Sequence, residues 1–215
     1  MPVARISPVF GFGLDLNLNS TPKSLKINKS IAIDTETMGL NPIRDRLCLI
    51  QLSTGNGICH LVKLEKKQKA KPTNLIKIIK DKKILKIFHY ARFDVGVLNY
   101  NFKINVNPIY CTKIASKLAR TFTDKHGLKD LCKELLDIEI SKTQQTSDWG
   151  KEKLSKSQLK YAANDVMYLH KIKKILDEML LRENRIKLSQ SCFNFINKRT
   201  ELDLLGWDQK DIFSH

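Results

Sequence analysis

From Ser30 onward the chain alternates short apolar runs with amphipathic stretches. Ser30–Asp34 is an apolar run ending in an acid and predicts a strand; Leu47–Ser53 predicts a second. Asn41-Pro42 marks a turn between them. Gly55 and Gly57 precede the run Ile58–Val62, which predicts a tight hairpin into a third strand. Lys63–Lys71 reads as a basic, solvated connection, and Pro72 sits near the start of a helix over Asn74–Lys80. Ile84–His89 reads as a buried strand and Ala91–Tyr100 as the helix that follows it. Ile109–Cys111 predicts a short strand, Thr112–Arg120 and Leu128–Leu136 predict helices, and Ile140–Gly150 is polar and loop-like.

Ser155 is a good helix N-cap, with Gln158 three residues on completing an S-x-x-Q capping box. Leu159, Ala162, Ala163, Val166, Ile172, Ile175, Leu176 and Met179 then recur at spacings of three and four, which predicts one amphipathic helix. A further helix is expected over Ile186–Asn197. Strands first, then strands alternating with helices, then helices: this order predicts an α/β fold with a mixed central sheet flanked by helices.

Composition narrows the partners. With 215 residues, 42% of them apolar, the chain has enough material for one good core. No run approaches the roughly 18 apolar residues of a membrane span, so a soluble, cytoplasmic protein with no membrane partner is expected. The 38 basic and 22 acidic residues give a formal charge of +16, which favours a polyanionic partner such as nucleic acid. A Lys-, Ile- and Asn-rich chain reaches the same excess through base composition alone, so the charge counts only beside other features. The five cysteines, Cys48, Cys59, Cys111, Cys132 and Cys192, form no C-x-x-C pair and read as reduced, buried thiols. Residues 1–23 read as an N-terminal extension or disordered arm outside the fold, and 24–215 as a single domain with C-terminal helices.

Chemistry gathers at acids. Asp34 and Glu36 stand two apart at the end of the first strand, so their side chains project to one face. Two carboxylates so close repel unless a proton or cation joins them, and hard divalent ions take carboxylate oxygens. Asp94 lies about one helical turn beyond the run ending at His89, near a strand's carboxyl end, where α/β sheets place their sites. Tyr161 and Asp165 are four apart and share a helix face. Each element alone has an ordinary structural explanation; the three together are much more specific.

D-x-E, then H-x-A-x-x-D, then Y-x-x-x-D, in this order, resembles the tyrosine subtype of the DEDD exonucleases. Ser147-Asp148-Trp149, Leu154-Ser155 and Gln158–Val166 are similar to the third motif region of its ribonuclease D branch. Cys111–Lys117, Asp124–Lys129 and Leu202–Trp207 further resemble the bacterial nano-RNase C enzymes, compact relatives that clear very short RNAs. The resemblance implies a ribonuclease H-like exonuclease fold and 3′-5′ hydrolysis of short RNA, dinucleotides especially, to nucleoside 5′-monophosphates. It implies two divalent cations, Mg²⁺ or Mn²⁺. Asp34, Glu36 and Asp165 would hold one, and Asp34 and Asp94 would help hold the other. Tyr161 would orient or deprotonate the attacking water. By the same resemblance Met38, Gly39 and Leu40 face the substrate, with Leu40 wedged between the last two bases. His89, Arg92, His126 and Lys129 are candidate substrate contacts, each also readable as a structural or solvated residue. A homo-oligomer, an octameric ring, is implied, without the additional HRDC-type helical domains of full-length ribonuclease D. Two alternatives remain open from the sequence. One is a broader ribonuclease D-like enzyme acting on structured RNA or DNA; the other is an inactive nucleic-acid-binding scaffold, against which the presence of all four acids and the tyrosine argues.

Overall fold

The computed structural model describes residues 5–6, 13–18, 25, 27, 29–66, 72–141 and 143–215. Its centre is a mixed sheet of seven strands: β1 (Arg5–Ile6), β2 (Gly13–Leu18), β3 (Ser30–Thr37), β4 (Leu47–Ser53), β5 (Ile58–Lys63), β6 (Leu85–Phe88) and β7 (Ile109–Cys111). They lie in the order β1-β2-β5-β4-β3-β6-β7. The pairs β3/β4 and β4/β5 are antiparallel, whereas β3/β6 and β6/β7 are parallel. The mixed sheet flanked by helices is the α/β class expected from the element order.

The hairpin between β4 and β5 turns on Gly55 and Gly57, both at positive φ (79° and 83°), a region glycine enters without a Cβ clash. β4 is buried along its whole length, as its near-continuous apolar run requires. Two strands of the N-terminal extension, β1 and β2, join the sheet, with β2 parallel to β5. Those strands correct the expectation that the extension stays outside the fold; the rest of residues 1–23 lies outside the described residues.

Around the sheet lie α1 (Thr73–Lys80), α2 (Ala91–Phe102), α3 (Thr112–Ala119), α4 (Leu128–Leu136), α5 (Lys156–Met167), α6 (Leu169–Arg182) and α7 (Ile186–Leu202). The single helix expected from Ser155 to Met179 is two helices, divided at Tyr168. The apolar spacing runs across the division because both helices bury a face, but the faces meet different layers. α5 packs on β3, β4 and β5, and α6 packs on α3 and α4. The Ser155 capping box forms as the sequence predicts, with both reciprocal bonds present.

Lys63, read as part of a solvated connection, is instead a buried strand residue whose Nζ donates to the carbonyls of Lys151 and Glu152. Lys86 on β6 is also fully buried. Its Nζ donates to the carbonyl oxygens of Asp81, Ile84 and Asn107 at 2.7, 2.8 and 2.7 Å, and burial draws its pKa down to about 8. A buried ammonium with three acceptors has its charge solvated by the backbone in place of water. Cys48, Cys59, Cys111 and Cys132 are buried free thiols and Cys192 is partly exposed. Among the described residues no helix is long and apolar enough to cross a membrane.

Candidate active site

β3, the N-terminal turn of α2 and the middle of α5 converge on one open cavity of about 620 Å³. Asp34 and Glu36 point into it from β3, as residues two apart on a strand must. α5 lies across that end of the sheet and brings Tyr161 and Asp165 to the same wall. Single ligand oxygens of Asp34, Glu36 and Asp165 lie within 4.8 Å of one another. Asp94 enters from α2, is almost fully buried, and accepts a 2.6 Å hydrogen bond from Thr35 Oγ1. All five catalytic candidates therefore line one cavity.

The polar support around the acids was not recognised in the sequence. Gln51 on β4 stands opposite Asp34 in the antiparallel register. Its Nε2 donates to Asp34 Oδ2 at 3.0 Å and reaches Glu36 Oε1 at 3.5 Å. The signal for Gln51 was present: an amide inside the otherwise apolar run Leu47–Leu52. A buried amide needs partners, and here they are the carboxylates across the ladder. Its Oε1 is buried without a hydrogen-bond partner among the described residues, leaving an acceptor free beside the acids.

Electrostatics show what this cluster needs. Burial, followed by repulsion from Asp94, Asp165 and Glu36, holds the Asp34 carboxyl well above the ordinary range. Burial, then Asp165 and Asp94, pushes Glu36 up to about 9. Asp165 rises to about 8, through burial and then Asp94. Asp94 rises to about 7 by burial, although hydrogen bonding to Thr35 pulls the other way. A metal-free cluster thus retains protons at neutral pH. A divalent cation removes the repulsion and lets every carboxylate ionise. An all-oxygen donor set of three converging carboxylates fits a hard ion such as Mg²⁺. Tyr161, raised by burial and then by Asp165, Glu36 and Asp34, keeps its phenolic proton. Its ring lies 6.0 Å from that of Trp149, which is buried and lines the same cavity.

The remaining candidates divide. Met38, Gly39, Leu40, His89 and Lys129 line the cavity. Leu40 is 85% exposed, which does not fit a turn residue packed into the core. Gly39 has a local reason: a Cβ there would lie 2.3 Å from Asp45 Oδ2, and that oxygen already accepts from the Asn41 backbone N–H. His89 Nδ1 lies 2.9 Å from Thr112 Oγ1, a structural bond that also fixes its ring at the cavity. Arg92 does not line this cavity. It grips Asp203 through Nε and Nη2 at 2.6 and 2.8 Å, and borders a neighbouring cavity of about 810 Å³. Its guanidinium is thus engaged in an ion pair beside the neighbouring cavity. His126 lies along neither cavity; it is 9% exposed and sits 2.9 Å from Ser116 Oγ. The sequence reading also did not place Tyr90, Phe93, Lys113 or the wall residues Ile140, Ser141, Gln145 and Thr146 at the cavity; Ser147 and Trp149, quoted only as part of a motif, line it too. Tyr90 is a non-glycine residue at φ 64°, and Lys113 Nζ lies 4.4 Å from the centre of its ring.

The profile of a 3′-5′ exonuclease family matches residues 16–181, most of the chain and every acid of the cavity. The chain belongs to the 3′-5′ exonuclease family. Brucella melitensis NrnC is 51% identical with a TM-score of 0.89, over 94% of this chain and 98% of that one. NrnC has also been solved with bound Mg²⁺ and bound to pGG, each at 50% identity to this chain. Escherichia coli RNase D, at 24% identity and a TM-score of 0.71, covers 80% of this chain and 45% of its own, and shares the fold. Ribonuclease D of Gluconacetobacter diazotrophicus is 29% identical over 170 residues, 79% of this chain. The match takes in 42% of that enzyme, so the chain spans less than half the length of the curated relative. The fold is thus that of the DEDD, ribonuclease H-like exonucleases, as the motifs implied.

Proposed function

We propose that the chain is a metal-dependent 3′-5′ exoribonuclease that hydrolyses short RNA, dinucleotides above all, to nucleoside 5′-monophosphates. One observation carries this reading. Three carboxylates converge within 4.8 Å in an open cavity, with a fourth acid, a tyrosine and an exposed leucine around it. Asp34, Glu36 and Asp165 would hold one Mg²⁺ or Mn²⁺, and Asp34 and Asp94 would help hold a second. Cations held there would supply charge neutralisation at the scissile phosphate and activation of water, chemistry that these carboxylates alone cannot provide. Gln51 and Thr35 hold the carboxylates in place. Leu40 offers an apolar surface on which any base can stack without its sequence being read. The likeness to NrnC, which has been solved bound to pGG, supports a short RNA substrate over structured RNA or DNA. The octameric ring implied by the sequence resemblance belongs with this proposal, and so does a single exonuclease domain, to whose sheet β1 and β2 also contribute.

Tyr161 lines the cavity one helical turn from Asp165, so its hydroxyl is placed to orient or deprotonate the attacking water. Tyr161→Phe should therefore lower kcat by on the order of a hundredfold with KM nearly unchanged. An unaltered kcat would remove Tyr161 from the mechanism.

A time course with 5′-labelled RNAs from dinucleotides upward, with Mg²⁺, with Mn²⁺ and with chelator, tests the whole reading. Metal-dependent loss of the dinucleotide ahead of longer chains is expected. Even shortening of all lengths, with dinucleotides left over, would instead indicate a broad ribonuclease D-like enzyme. No cleavage with either metal would leave the scaffold reading.

A further inference from the structure

Gln158 is nine-tenths buried, and every polar atom of its side chain is used in two directions. Toward its own helix, Oε1 accepts the Ser155 backbone N–H at 3.0 Å, completing the capping box of α5. Away from the helix, Nε2 donates to Ser147 Oγ and to the Asp148 carbonyl oxygen, both at 3.0 Å. The partners fix which end of the amide is which: a backbone N–H must face oxygen, and a carbonyl must face nitrogen.

A helix cap alone needs only the first of these bonds. The second pair runs to the loop that forms one wall of the catalytic cavity, where Ser147 and Trp149 line it. No regular secondary structure supports that wall. Lys63 holds its far end through the carbonyls of Lys151 and Glu152. Gly150 backs onto Met38, another cavity residue: a Cβ there would lie 2.5 Å from the Met38 Sδ. The wall is thus suspended between a lysine on β5 and the first turn of the helix that carries Tyr161 and Asp165.

We infer that Gln158 is a positioning residue that locks the substrate-facing wall Ser147–Gly150 to the catalytic helix, a task separate from capping that helix. The inference rests on the proposed nuclease reading for its kinetic part only. A rigid wall lowers the cost of binding a flexible oligonucleotide, because fewer conformations are lost when it docks. Releasing the wall should weaken substrate binding more than it slows the chemical step.

Gln158→Glu separates the two tasks. A glutamate oxygen still accepts the Ser155 N–H, as in the usual S-x-x-E capping box, but the carboxylate has no proton for the Asp148 carbonyl. Expected is a rise in KM of roughly three- to tenfold, the range of one or two lost neutral hydrogen bonds, with kcat within about twofold. Ser155→Ala, which weakens the cap and spares the wall, should lower the melting temperature without moving KM. The chain has two tryptophans, Trp149 and Trp207, so a Trp207→Phe background makes Trp149 the sole reporter of the wall. In that background Gln158→Glu should raise acrylamide quenching of Trp149, and Ser155→Ala should not. Parental KM in Gln158→Glu, or unaltered quenching, overturns the inference. If Gln158→Glu does not fold, Ser147→Ala removes one of the two tethers with the cap intact, and quenching of Trp149 alone is then read, because Ser147 itself lines the cavity. If the parent cleaves no RNA, the nuclease reading fails by itself, and quenching alone then decides whether Gln158 holds the wall.

Discussion

Asp34→Asn should lower turnover by on the order of a thousandfold or more while leaving a protein that, free of metal, melts no lower than its parent. Asp34 stands at the centre of the cluster, within reach of Glu36, Asp94 and Asp165, and belongs to both proposed cation sites. Removing its charge weakens both sites together, so the loss should exceed that for Tyr161→Phe. The same substitution removes an acid that the metal-free fold can carry only in its neutral form. An asparagine Oδ1 can still accept the Gln51 Nε2 bond now made to Asp34 Oδ2 at 3.0 Å. Single-turnover cleavage of a dinucleotide, paired with thermal melts in chelator, separates the two effects. Near-parental turnover in the folded variant would sink the assignment of Asp34. Lost turnover with a collapsed melting temperature would show a structural role in its place.

Chelation should abolish activity, and the metal-free protein should lose stability as pH rises. The sign follows from the direction of the shifts. A carboxyl kept neutral by the fold contributes stability that is fully present below its unfolded pKa of about 4. That contribution is lost as pH rises toward and through the folded values, about 7 for Asp94, about 8 for Asp165 and about 9 for Glu36. The melting temperature in chelator should therefore fall steadily between about pH 5 and pH 9. Excess Mg²⁺ should flatten that fall, because bound cations stabilise the ionised carboxylates and add binding free energy to the folded state. Mg²⁺ binding near pH 7 should also release protons, seen as a dependence of the calorimetric heat on the ionisation enthalpy of the buffer. A metal-free melting temperature independent of pH, with no proton release, would mean that the acids do not form the repelling, buried cluster described above.

The elements that carry the site were legible because each had a local signature. The strand that carries Asp34, the helix after His89 and the Ser155 capping box are written in periods of two and 3.6 and in side-chain caps, all of which act over a few residues. The spacing of Asp34, Glu36, Tyr161 and Asp165 also fixed which pairs share a face before any tertiary contact was known. The division at Tyr168 was not legible, because α5 and α6 bury faces of the same periodicity against different layers. For Arg92 and His126 the sequence left a substrate contact and a structural role side by side, for a related reason. Their partners, Asp203 and Ser116, lie 111 and 10 residues away, and neither bond leaves a mark in the local pattern. Gln51 did leave a mark, a polar residue in an apolar strand, but only the register of β3 against β4 shows that it faces Asp34.

By itself the sequence determined the α/β class, the five candidate catalytic residues and the family, since these follow from residue type, short-range periodicity and the order of three motifs. Only the tertiary structure decided that the carboxylates meet within 4.8 Å, that Thr35 and Gln51 support them, and that Gln158 ties helix to wall. Short-range order sets which face a side chain occupies on its own element. Which atoms meet across elements depends on strand register, helix packing and the burial of the whole chain, and the shifted acidities exist only once those have brought like charges together away from water.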